Sequence, residues 1–224
     1  MHDPIHDQIA LIKPGRALEV GCGCGDFTVR AAPHCGHITA VEPFLQLIEW
    51  CNREHARPNV DYLCMDGRRL EFPDRSFDLA YQRSSLHHVL EWHKVVDEMA
   101  RVSSQYILLE EPLDDTRTPE KQNAILGQEL LLELQNEVGY PHYKHLTRDA
   151  LQHHLGHKRL PAEYLHLKND NTVSFEQFFH TFETFVQKSR RPDYWRDRLE
   201  EFRGLAGSRR FAENDLLFVI VSRR

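Results

Sequence analysis

No run of eighteen apolar residues occurs in this chain of 224 residues, so no membrane-spanning helix is expected. The opening stretch MHDPIHDQIA lacks the charged-then-apolar layout of a secretory signal, and a cytoplasmic location is the expectation. Basic residues do not predominate: 28 Lys and Arg stand against 34 Asp and Glu, a net charge of −6. Nucleic-acid surfaces are usually basic, so a nucleic-acid partner is not expected. The pairs Arg190-Arg191 and Arg209-Arg210 then read as solvated surface. The five cysteines are odd in number and form no C-x-x-C pair, which argues against a disulfide framework or a zinc site. Histidine is plentiful and clustered, at His87-His88, at His142 with His145, and at His153-His154 with His157. These clusters read as surface or capping groups, and no metal is assigned.

What the chain does have is a glycine turn after a short apolar run. In Ala17 to Asp26, ALEVGCGCGD, Leu18 and Val20 flank Glu19 and the run ends in Gly21-Cys22-Gly23-Cys24-Gly25. A strand that stops at such a turn lets backbone approach a ligand closely, and the following stretch, beginning at Asp26, is helical in pattern. Cys22 and Cys24 read as small packing residues within the turn. The dinucleotide fingerprint G-x-G-x-x-G is missing, because the third glycine comes one residue early. No G-x-x-x-x-G-K-[ST] phosphate loop exists either. An acid two residues before the first glycine suits a cationic ligand better than a pyrophosphate.

Strand and helix patterns alternate along the first half: strands at Arg16 to Val20, His37 to Glu42, Val60 to Met65, Phe77 to Gln82 and Tyr106 to Glu110, with helices between them. Alternation of this kind predicts an α/β fold, a doubly wound, mostly parallel sheet. Helices are then expected at Pro119 to Val138, from a Thr147 cap to Leu155 with Gly156 at its end, at Ser174 to Lys188 and at Asp193 to Phe202. Strands at Leu160 to Leu167 and Asp215 to Ser222 bring the sheet to seven. We expect a single domain over residues 1–224, with helical cap insertions at about 113–146 and 169–212 over the active-site cleft. Phe175, Phe178, Phe179, Phe182 and Phe185 share a helical face. That face reads as the buried side of a cap helix, with an apolar or aromatic substrate as the other reading.

Acids recur at successive strand ends. Glu42 closes HITAVE and Asp66 follows the third strand in Cys64-Met65-Asp66-Gly67. A carboxylate after the second strand can accept from ribose hydroxyls, and one after the third lies at the same end of the sheet.

The stretch Glu19 to Gly25 resembles motif I, [DE]-x-G-x-G-x-G, of the class I S-adenosylmethionine (SAM)-dependent methyltransferases. Leu70-Glu71-Phe72-Pro73-Asp74-Arg75-Ser76-Phe77-Asp78 is similar to the family's L-P-F-x-x-x-S-F-D stretch, and Ser85-Leu86-His87-His88-Val89 to its L-H-H segment. Together these resemble the ubiquinone/menaquinone-biosynthesis-type branch, over about residues 15 to 112. The resemblance implies a Rossmann-like sheet of seven strands with an antiparallel last strand. It implies SAM as cofactor, S-adenosylhomocysteine as product and a small molecule as methyl acceptor, at oxygen, carbon or nitrogen. It implies cofactor contacts from Glu19, Gly21, Cys22, Gly23, Glu42, Pro43, Phe44, Asp66 and Gly67, with Gln82 and Arg83 at the sulfonium end. His88, Glu111, His142, Tyr143 and His145 are the candidates for proton removal from the acceptor. The [DN]-P-P-[YFW] element of adenine-N6 and glutamine methyltransferases is absent. A SAM-binding regulatory or partner subunit without catalysis is the alternative, and an NAD(P)-dependent oxidoreductase is a weaker one.

Overall fold

Leu18 and Val20 alternate with Ala17 and Glu19 in a strand, β1 (Arg16–Val20), whose last four residues are all buried. Burial on both faces is the mark of a strand covered by helices on either side of a parallel sheet. The computed structural model describes residues 3–114 and 117–223. The chain divides into two compact units. One comprises Met1–Glu111, Arg148–His166 and Leu217–Arg224, and the other Pro112–Thr147 and Leu167–Leu216.

The first unit begins with a helix, α1 (Pro4–Ile12), that the strand–helix alternation did not include. Asp3 caps it by accepting from the His6 amide at 3.3 Å, and Pro4 occupies its first turn, the N-terminal arrangement such residues favour. After β1 come α2 (Asp26–Ala31), β2 (His37–Glu42), α3 (Leu45–Glu54) and β3 (Val60–Cys64). They are followed by β4 (Phe77–Arg83), α4 (Trp92–Val102) and β5 (Ser103–Leu113). The apolar stripe of α4, Val95, Val96, Met99 and Val102, is buried as its helical spacing predicts. The fifth strand starts earlier than expected. Polar Ser103 is fixed in it by its hydroxyl, which donates to the Tyr106 carbonyl at 2.6 Å, and its carbonyl accepts from the Arg223 guanidinium.

The later elements are α5 (Pro119–Glu137), α6 (Arg148–His157), β6 (Ala162–Leu167) and β7 (Thr172–Val173). Then come α7 (Phe175–Phe178), α8 (Phe182–Val186), α9 (Pro192–Ala206), β8 (Phe211–Ala212) and β9 (Asp215–Ser222). The main sheet has the order β3-β2-β1-β4-β5-β9-β6. The first five of these strands pair in parallel. The last strand, β9, runs antiparallel between β5 and β6: the Ser222 amide donates to Pro161 O and the Arg223 amide to Gln105 O. The seven-stranded, mostly parallel sheet is therefore as expected. Strand order reverses between β1 and β4, and the carboxyl ends of strands at such a switch point are the usual ligand position in sheets of this kind.

Two helix ends differ from expectation. Gly156 lies inside α6; the helix is closed instead by Arg159 at φ 54°, with the Leu160 amide donating to Leu155 O at 3.0 Å. That six-to-one bond is the Schellman closure, here made by a non-glycine residue. The expected helix over Ser174 to Lys188 is broken into α7 and α8. A straight helix would spread Phe175 and Phe185 about 15 Å apart along its axis. The break lets Phe175, Phe178 and Phe179 all gather against Phe211, with ring centroids 4.7 to 5.9 Å from it.

This cluster is the core of the second unit, joined by Leu130, Leu134, Trp195 and Val186. Phe175, Phe179 and Phe182 are buried, so the phenylalanine stripe serves that core. Nearby, Asp215 is fully buried and pairs with Lys121; Arg117 lies 3.2 Å from its other oxygen, and the Asn169 amide donates to it at 2.9 Å. Among the described residues, no helix is long and apolar enough to cross a membrane.

Candidate functional site

The glycine turn is tied to the end of β2. The amides of Gly21 and Cys22 both donate to Val41 O, at 2.8 and 3.2 Å, and the Gly25 amide closes back on Cys22 O at 2.9 Å. Gly21 sits at φ 76°, and a Cβ there would meet Ser85 Cβ at 2.6 Å. Neither the backbone nor the space admits a side chain. Beside Gly23, by contrast, a Cβ would meet nothing within 4 Å, so open room borders the turn.

Glu42 stands at this room. Its Oε2 accepts the Gly23 amide at 3.2 Å, so the acid after β2 braces the turn itself. The residue is 7% exposed, and burial pushes its carboxyl up, against the lowering pull of the Gly23 amide. Pro43 and Phe44 follow on the surface; the Phe44 ring is 41% exposed although its backbone caps α3. That is an uncovered aromatic face one step from the acid.

Glu19 has a different setting. It is buried, accepts from the Tyr81 hydroxyl at 2.9 Å, and desolvation pushes its carboxyl up to about 7. Cys22 and Cys51 are also buried, and Cys51 Sγ donates to Gly23 O at 3.4 Å. Burial pushes both thiols up, Cys51 to about 11, so they remain neutral packing groups under the turn. Gly67 packs against Val20, where a Cβ would come within 2.6 Å of Cγ1. Beside it, Asp66 is gripped by the Arg68 guanidinium, which holds its carboxyl below the usual range.

After β4 the chain turns through Ser84 to His88, and Glu111 organises that turn. Its Oε1 accepts from the amides of Ser85 and Leu86 at 2.9 and 2.8 Å, and its Oε2 lies 2.8 Å from His87 Nδ1. His87 is thus buried against a carboxylate, and the half-buried His88 ring lies 4.3 Å from its ring. Gln82 is fully buried and bonds inward: its Nε2 donates to Glu110 O at 3.3 Å and its Oε1 accepts from the Ser85 hydroxyl at 2.9 Å. Arg83 donates to Glu110 Oε1 at 2.7 Å, and its guanidinium lies over Phe27.

His142, Tyr143 and His145 belong to the second unit, where they line one small pocket with Asp114. His145 Nδ1 lies 2.7 Å from Asp114 Oδ1. The backbone of His142 is clasped by the Asn136 side-chain amide, which donates to its carbonyl at 2.6 Å and accepts its N–H at 3.1 Å. The glycine turn, Glu42, Phe44 and Gly67 thus share the carboxyl ends of β1 to β3. Tyr81, Ser85, Arg68 and Asp114 were not among the expected site residues. The Tyr81 and Ser85 contacts cross more than sixty residues of sequence, which no local spacing records.

Residues 18–105 match the protein family described as "Methyltransferase domain". The uncharacterized methyltransferase YcgJ of Bacillus subtilis is 30% identical over 93 residues, 40% of this chain and 37% of that protein. The 27-O-demethylrifamycin SV methyltransferase of Amycolatopsis mediterranei is 32% identical over 106 residues, 43% of this chain and 39% of that protein. The chain thus aligns with less than half the length of these curated relatives. The crystal structure of YcgJ superposes with a TM-score of 0.69 at 17% identity, covering 98% of this chain and 99% of that one. The N-methyltransferase NodS of Bradyrhizobium japonicum in complex with S-adenosylhomocysteine gives a TM-score of 0.56 at 14% identity, covering 98% and 85%. The fold is the Rossmann-like methyltransferase fold.

Proposed function

We propose that this chain is a SAM-dependent methyltransferase that transfers a methyl group to a small-molecule acceptor. The observation that carries the reading is Glu42 buried at the end of β2, braced by the Gly23 amide and facing the open room beside the glycine turn. A buried carboxylate there suits a vicinal diol, which donates two hydrogen bonds. When bound, SAM supplies a methyl group on a sulfonium, already activated, with a neutral thioether as leaving group.

The chain's own residues then have limited work. Glu42 accepts from the ribose hydroxyls, Phe44 stacks on the adenine ring and Asp66 accepts from the adenine amine. The turn from Gly21 to Gly23, with Cys22, Pro43 and Gly67 around it, brings bare backbone to the cofactor, and Glu19 lies beneath it. Gln82 and Arg83 set the shape of the sulfonium end through their bonds to Ser85 and Glu110. Transfer needs the acceptor held in line with the methyl group and water kept out.

An acceptor that must lose a proton needs a base, and His88 is the candidate beside the β4 turn. Glu111 is the positioning residue of that turn. His142, Tyr143 and His145 are the further candidates for that base, with His145 Nδ1 held 2.7 Å from Asp114 Oδ1. A small-molecule acceptor agrees with the relative named for 27-O-demethylrifamycin SV.

Calorimetric titration with S-adenosylhomocysteine, with NAD as control, tests the cofactor. Binding of S-adenosylhomocysteine alone supports the reading, and binding of NAD alone overturns it. Methyl transfer from labelled SAM to small molecules of a cell extract then separates an enzyme from a non-catalytic SAM-binding subunit.

A further inference from the structure

Arg68 follows Asp66 by two residues, and its guanidinium already grips that acid. Arg68 Nε lies 3.1 Å from Asp66 Oδ1 and 3.0 Å from Oδ2, and Nη2 lies 2.6 Å from Oδ2. The Arg68 backbone N–H adds another bond to Oδ1, at 2.9 Å. A carboxylate offers about four acceptor positions. The guanidinium thus spans both oxygens, its single Nε–H shared between them, and an incoming amine must compete with it for the carboxylate.

The guanidinium has a second acceptor within reach. Its Nη1 lies 3.3 Å from Glu91 Oε2, while Glu91 also pairs with Lys94. Both Arg68 and Asp66 are near half-exposed, at 43% and 45%, so water screens their attraction and a change of partner costs little.

We infer that Arg68 is an internal competitor for the adenine subsite: cofactor binding turns its guanidinium from Asp66 onto Glu91 and frees Asp66 to accept the adenine amine. This rests on the reading of Asp66 as the adenine acceptor. Arg68 thereby sets the affinity for any ligand whose purine carries the exocyclic amine. It leaves ligands without that amine untouched, because they ask nothing of Asp66.

The test is calorimetry on the full chain with two probes, S-adenosylhomocysteine and its analogue with purine in place of adenine. Arg68→Ala should tighten S-adenosylhomocysteine about two- to fivefold, the scale of an exposed ion pair, and leave the analogue unchanged. Arg68→Lys, which keeps the charge but loses the fork, should also tighten binding, by less. Glu91→Gln should weaken it, since the displaced guanidinium loses its receiving charge. Equal or weaker binding in Arg68→Ala, or equal tightening of both probes, overturns the competitor role alone. Failure of the wild-type chain to bind S-adenosylhomocysteine overturns this inference together with the methyltransferase reading.

Discussion

The two units bury acids in opposite ways. In the first, Glu19, Glu42 and Glu111 lie under the surface and are answered by a tyrosine hydroxyl, a glycine amide, and two amides with a histidine ring. Among the buried acids of that unit in the described residues, Glu110 alone meets a guanidinium, that of Arg83. In the second unit the buried acid, Asp215, meets two cations, Lys121 and Arg117. A buried acid held by dipoles retains the capacity to respond to a cationic or donor-rich ligand. One held by cations is already neutralised and serves the frame. Buried charge is thus left to dipoles in one unit and neutralised as a strut in the other.

Removing the strut should have the largest effect. Lys121→Ala leaves Asp215 buried with much of its compensation gone, which costs about 3–5 kcal/mol of stability, read by denaturant unfolding. A variant with both Lys121→Met and Asp215→Leu should recover most of the loss, and no recovery would show that the pair is more than a strut.

Next comes Glu19. Its carboxyl titrates at about 7 in the folded chain against an ordinary 4.5. Between these values the folded chain keeps a proton that the unfolded chain has released, so stability is highest below the lower value and falls as pH rises toward the upper one. The fall is on the order of 3 kcal/mol. Glu19→Gln should lose that slope and be more stable than the parent at about pH 8. A slope unchanged by Glu19→Gln would place its origin elsewhere.

Glu42→Ala should weaken S-adenosylhomocysteine binding about ten- to hundredfold, the value of hydrogen bonds to a charged group. Unchanged affinity in a folded variant sinks the ribose assignment. Smallest is the exposed charge of the second unit: Arg196→Ala, which removes pairs to Glu183 and Asp193, should leave the unfolding midpoint where it was.

The first unit was the more legible in sequence, for a physical reason. Strands covered on both faces read as short apolar runs, and β1, β2 and β4 stand where those runs lie. The glycine turn and Glu42 were legible because their roles attach to strand ends. Glu111 was legible as a candidate for proton removal, but its role as an anchor depends on amides 25 and 26 residues away. Arg68 is local to Asp66 and was still overlooked, since a basic residue in a polar loop has no pattern to set it apart. In the second unit the helical spacing of Phe175 to Phe185 hid the break between α7 and α8. Phe211, the residue the phenylalanines gather around, lies on a two-residue strand too short to register.

The bonds on Glu111 tie its identity to that of His87, whereas residues 85 and 86 take part through backbone amides that any residue but proline supplies. Exchange of Glu111 alone takes the acceptor from the Leu86 amide and one partner each from the Ser85 amide and the His87 ring. Exchange of His87 alone strands one carboxylate oxygen. Drift at these two positions should therefore proceed in concert. Their substitution costs should also fail to add, so that the double variant of His87 and Glu111 loses less than the two single variants together.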